Sequence, residues 1–182
     1  MIRNSINGII CALLLVFAIG CGGSESDQAA QEEQAPEPTT DAGYVEQATF
    51  VSLDGDTLSV DQFEGKVVMI DFWETWCKPC LASFPTMQKL TEEYPDDFVV
   101  LAVTPGFTDT KEDARAFAEE NDYTFQYAMD TNKLHQKLGV QGIPFKVYVD
   151  ADGSFIKKSM GSLGPDEDYK RLKEIIEEHK DS

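Results

Sequence analysis

Thiols, imidazoles and positive charge are all scarce in this chain, and each shortage removes a class of function. Lys and Arg total 15 against 33 Asp and Glu, a formal net charge of -18 over 182 residues. Such a surface repels a phosphate backbone, so nucleic acid is excluded as a partner. There are only four cysteines and two histidines. A structural zinc site wants four ligands, usually two cysteine pairs. Here one Cys-x-x-Cys pair, Cys77 and Cys80, stands alone, while His135 and His179 fall on separate predicted helices. No metal site and no cofactor is expected. The longest apolar run, 9–19, is shorter than the roughly 20 residues needed to cross a bilayer.

That run has its own meaning. Arg3, the run itself and then Ala18-Ile19-Gly20-Cys21 have the layout of an export signal over 1–20. The last four residues resemble the lipobox of bacterial lipoproteins, with Ala18 where Leu is usual. The resemblance implies cleavage before Cys21 and a lipid anchor on it; the alternative is a plain signal peptide cut nearby. Either way the domain works outside the cytoplasm, in the cell envelope. Gly22 rather than Asp after the lipid site leans, by the same resemblance, toward the outer membrane in a cell that has one. Residues 21–43 follow as an acidic linker. From Gly22 onward it has six acidic, no basic and no aromatic residues, too little apolar surface to offset the entropy of ordering.

Residues 44–182 read as one domain, since 42% apolar content is enough for a single core. Short apolar runs alternate with helical stretches. Segments 48–53 and 57–59, joined by Asp54-Gly55-Asp56, predict a hairpin, and 60–63 one helical turn. Residues 67–73 form a continuous apolar run, the mark of a strand covered on both faces. After Cys77 the spacing of Leu81, Phe84, Met87, Leu90 and Tyr94 predicts a helix, with Pro85 kinking it. A parallel strand at 98–103, a helix within 109–121, a strand at 125–129 and a helix at 131–138 come next. An antiparallel pair, 145–149 and 155–160, and a last helix at 166–179 complete the pattern. The fold class is α/β, with a mixed sheet flanked by helices.

Export removes Cys11 with the signal and lipid blocks Cys21, leaving Cys77 and Cys80 as the thiols of the domain. A bridge across two residues closes too short a loop to restrain the unfolded chain much, so its value lies in reactivity. Cys77, at a helix start, has its thiolate favoured by free backbone amides and the helix dipole. It is the candidate nucleophile. Cys80 is placed one turn deeper to resolve a mixed disulfide. Asp71 puts a carboxyl in the middle of a doubly covered strand, where burial raises its pKa and lets it exchange a proton with Cys80.

These residues, DFW-x-x-WC-x-x-C with Pro85 five residues on and Gly142-Ile143-Pro144 before a strand, resemble the thioredoxin fold, and within it the exported TlpA/ResA-like thiol-disulfide oxidoreductases. The resemblance spans 44–179 and implies a thioredoxin-like fold with an N-terminal β-hairpin extension. It implies Cys77 as attacking thiol, Cys80 as resolving thiol and Asp71 as the buried acid. It also implies Pro144 as a cis-proline facing the dithiol, Ile143 offering backbone groups to an incoming chain, and Trp76 forming part of the docking surface. The expected activity is disulfide exchange with exported proteins, as a reductase by the lean of Pro79, with apocytochrome c among possible substrates. A transmembrane thiol reductase is the implied electron donor, and a monomer is expected. The alternatives are a thiol oxidase that donates its disulfide and a copper chaperone using both thiolates. Three positions depart from the family pattern: Ser83 where a glutamate is common, Phe145 where Thr is common, expected to reshape the apolar contact surface, and Glu74 beside the motif. A charge at Glu74 would oppose the thiolate and one at Lys78 favour it.

Overall fold

A computed structural model describes residues 38–182. The export signal 1–20, the lipidation site Cys21 and the linker up to residue 37 lie outside the described residues. One seven-stranded sheet runs in the order β2-β1-β5-β4-β3-β6-β7. Its strands are β1 (Thr49–Ser52), β2 (Thr57–Ser59), β3 (Val67–Phe72), β4 (Phe98–Thr104), β5 (Gln126–Met129), β6 (Phe145–Val149) and β7 (Phe155–Met160). Strand β3 pairs parallel with β4 and antiparallel with β6, and all six of its residues are buried, as its non-alternating run, apolar but for Asp71, predicts. The β1–β2 hairpin joins through β1 to β5, antiparallel.

Among the described residues, five α-helices cover the sheet: α1 (Asp41–Glu46), α2 (Lys78–Glu93), α3 (Lys111–Glu120), α4 (Leu134–Lys137) and α5 (Pro165–His179). Alternate residues of β3 divide the core. Val67, Met69 and Trp73 join Phe84 and Leu90 of α2, Ala114 of α3 and Leu172 and Ile176 of α5. Val68, Ile70 and Phe72 join Val45 of α1, Leu134 of α4 and Val147 and Val149 on the other side. The sheet therefore separates a front layer, with α2, from a back layer, with α1 and α4.

Two elements depart from the sequence expectation. The acidic linker was expected to run to residue 43, yet α1 begins at Asp41: the Thr40 hydroxyl caps Gly43 N–H and Val45 is fully buried. Helix α4 is only four residues, because Lys133 takes a left-handed conformation (φ 57°) and the Asp130 carboxylate accepts from Leu134 N and His135 N at 2.8 Å each. Asp130 thus starts the helix three residues later than the expected 131. Helix α2 runs through Pro85, as the apolar stripe from Leu81 to Tyr94 predicts, although Pro85 has no N–H to give the Leu81 carbonyl.

Candidate active site

Strand β3 delivers the chain to the dithiol. Trp73 N–H extends the ladder by one bond to the Val103 carbonyl (3.1 Å), and a tight turn follows in which Cys77 N–H donates to the Glu74 carbonyl (2.9 Å). Cys77 is the N-cap of α2: its Sγ accepts from Cys80 N–H at 3.3 Å, and Pro79 occupies the first turn, where a missing amide hydrogen costs nothing. Cys77 and Cys80 are disulfide-bonded, with Cα atoms 5.3 Å apart. Cys77 keeps 2% of its surface exposed and Cys80 none, so an attacking thiol reaches the pair from the Cys77 side. At this cap position the Cys77 sulfur faces the first-turn amides of α2.

Asp71 shares its strand face with Met69 and Trp73, the face that packs under α2 and the dithiol. Its register partner on β6 is Lys146, which therefore projects to the same side. The two form an ion pair of 3.5 Å with both side chains buried. Neither Asp71 oxygen nor Lys146 Nζ has a hydrogen-bond partner among the described residues. Burial pushes the Asp71 carboxyl up to about 6, Lys146 pulling the other way and Asp168 adding a smaller upward push. The same face holds Tyr148, whose hydroxyl burial pushes up to about 12. Lys146, Tyr148 and Ser83 form part of the wall of an open cleft completed by Ser159, Asp168 and Arg171.

Lys146 was missed in the sequence, although its signal is of the same kind as that of Asp71: one charged residue inside the apolar run of β6. A cation there needs a partner.

Pro144 is preceded by a cis peptide bond from Ile143. Because Phe145 pairs with Phe72, Pro144 sits one step beyond the end of β3, at the same end of the sheet as the dithiol. Trp76 is 54% exposed beside Cys77. Ser83 is buried and its hydroxyl donates to the Cys80 carbonyl at 2.7 Å, so it offers no titrating group. Phe145 corrects an expectation: it was expected to reshape the contact surface at the dithiol, but it is packed against Phe72 in the back layer (centroids 6.3 Å apart) and faces away from α2. Glu74 corrects another. Its carboxylate is fully buried and taken up by the indole of Trp76 and the amides of residues 107–109, so it is a hydrogen-bonded hub rather than a bare charge beside Cys77.

The comparisons agree with this geometry. The AhpC/TSA family model matches residues 32–158. The thioredoxin-like protein YneN of Bacillus subtilis is 29% identical over 174 residues, covering 90% of this chain and 95% of that protein. The thiol-disulfide oxidoreductase ResA of Bacillus thuringiensis is 30% identical over 125 residues, 68% of this chain and 71% of ResA. Among solved structures, the exposed lipoprotein thioredoxin Etrx1 of Streptococcus pneumoniae superposes with a TM-score of 0.58 at 31% identity, covering 70% of this chain and 98% of that one. A protein assigned as the thiol:disulfide interchange protein DsbE of Chlorobium tepidum gives 0.64 at 26% identity, covering 79% and 98%. With a disulfide-bonded Cys-x-x-Cys pair at the start of α2 on a thioredoxin-like sheet, the chain belongs to the AhpC/TSA family and is a thiol-disulfide oxidoreductase.

Proposed function

We propose that this protein works outside the cytoplasm, held to a membrane by lipid on Cys21, and reduces disulfides in exported proteins. The observation that carries the reading is the dithiol at the N-cap of α2 with a buried carboxyl, Asp71, on the strand face beneath it. The Cys77 thiolate attacks one sulfur of a substrate disulfide, forming a mixed disulfide and releasing the other sulfur as thiolate. Cys80 then gives its proton to Asp71 and attacks Cys77 Sγ, releasing the second substrate thiolate. Two electrons have passed to the substrate, and the Cys77–Cys80 bridge remains. A membrane dithiol donor reopens it and becomes a disulfide itself. Trp76, Ile143 and Pro144 receive the substrate chain. Apocytochrome c, whose haem-binding cysteines must be reduced, fits as a substrate, and the protein acts as a monomer. The exposed lipoprotein thioredoxin of Streptococcus pneumoniae supports the anchor.

Expressing Cys80→Ser in the native host stops the cycle at the mixed disulfide. Exported proteins should then be captured on Cys77 and released by reductant. An empty trap, together with wild-type protein inert toward every disulfide offered, would refute the reading. A midpoint potential near the thioredoxin end of the range from about -270 to -120 mV supports reduction; one at the other end makes the protein an oxidant.

A further inference from the structure

Glu74 has no part in the electron path, yet it is wholly buried, and a buried carboxylate is strongly destabilising unless its oxygens are satisfied. Here they are. Oε2 accepts from Trp76 Nε1 at 2.6 Å, from the Thr108 hydroxyl at 2.9 Å, from Thr108 N at 3.1 Å and from Asp109 N at 3.4 Å. Oε1 accepts from Phe107 N and more weakly from Thr108 N. The loop answers in kind, since the Asp109 carboxylate accepts from Thr75 N. The turn that leads into Cys77 is therefore laced to the loop between β4 and α3.

Both large exposed apolar side chains in these two segments hang on this clamp. Trp76 is held by its indole N–H, and Phe107, 43% exposed, by its backbone N–H. The Phe107 ring also stands edge-on to His135 (5.4 Å), itself fixed by a 2.6 Å contact with Asp130. Free surface side chains of this size lose rotamer freedom when a partner docks, which weakens binding. These two are ordered beforehand.

We propose that Glu74 is a positioning residue that presets two apolar anchors, Trp76 next to Cys77 and Phe107 on the loop laced to the same turn, so that the enzyme prefers disulfides carried in polypeptide with apolar residues near the target cysteine. This deepens the proposed exchange reaction and rests on it. Glu74 touches no reacting atom; it acts through the indole and the loop.

The test uses the full-length protein and three probes: a short peptide whose single disulfide is flanked by Leu and Phe, the same peptide flanked by Ser, and hydroxyethyl disulfide. In Glu74→Ala the ratio of kcat/KM for the Leu/Phe peptide to that for hydroxyethyl disulfide should fall about tenfold, chiefly through KM. Glu74→Gln, which keeps an acceptor, should lose no more than about threefold. The Trp76 indole N–H resonance should move in both, more in Ala. If Glu74→Ala does not fold, Phe107→Ala must lower the same ratio. An unchanged ratio in the folded variants, or equal losses on all three probes, overturns the inference. Wild-type protein inert to all three probes is a different result: it overturns the exchange reaction first, and the positioning role with it.

Discussion

Asp71 and Lys146 face one another across the β3–β6 ladder, and neither would be stable there as a lone charge. The titration of Asp71 sets a pH signature. With its carboxyl at about 6, Asp71 is a base above that pH and an acid below it. In a mixed disulfide of Cys77 with thionitrobenzoate, release of the chromophore by Cys80 should therefore quicken as pH rises through about 6. Asp71→Asn should remove that inflection and slow release near neutrality by about a hundredfold. Lys146→Met takes away a charge that lowers the carboxyl's pKa, so the inflection should survive and move upward. An inflection at the same pH in Lys146→Met would mean the pair is not coupled. Stability follows the same sign. Because the folded value lies above the ordinary 3.8, the folded chain holds a proton that the unfolded chain gives up, and stability falls as pH rises from about 4 to about 6.

The elements are held by short local devices that are cheap to test. Helix α3 begins with a reciprocal box: the Thr110 hydroxyl accepts from Asp113 N at 3.2 Å and donates to the Asp113 carboxylate at 2.7 Å. Thr110→Ala should cost about 1 kcal/mol, seen as a fall of roughly 2–4 °C in Tm, while Thr110→Ser should restore most of it. Equal Tm in wild type and Ala would show that the box contributes nothing. These devices also mark where the sequence was legible. Strand β3 and the α2 stripe were readable because burial on two faces and a helical period of three to four leave a direct mark on residue type. Helix α1 was not, since one buried residue, Val45, in six leaves no period to see. The late start of α4 depends on Asp130 turning its carboxylate onto the next turn, a side-chain choice that composition does not record. At the site, Cys77, Cys80 and Asp71 stood out as misfits or motif, whereas Glu74 and Lys146 gained much of their meaning from partners 33 or more residues away, at Phe107 to Asp109 and at Asp71.

At the scale of the molecule, the net charge of -18 is a long-range field around a short-range chemistry. Steering by such a field is strongest when the Debye length is long, about 30 Å at 0.01 M salt, and fades by 0.1 M, where it is about 10 Å. Reduction of a disulfide peptide carrying several lysines should slow across that range, and the same peptide with glutamates should speed up. Stopped-flow rates with the same salt dependence for both peptides would count against steering. The two-layer core has another consequence, one for protein engineering. The dithiol and the Asp71–Lys146 pair lie on the front layer, and Phe72, Leu134, Leu138, Phe145, Val147 and Val149 lie behind the sheet. The back layer is thus open ground for redesign: it can be repacked for heat tolerance or rebuilt as a fusion junction, with the sheet acting as a firewall that leaves the midpoint potential where it was.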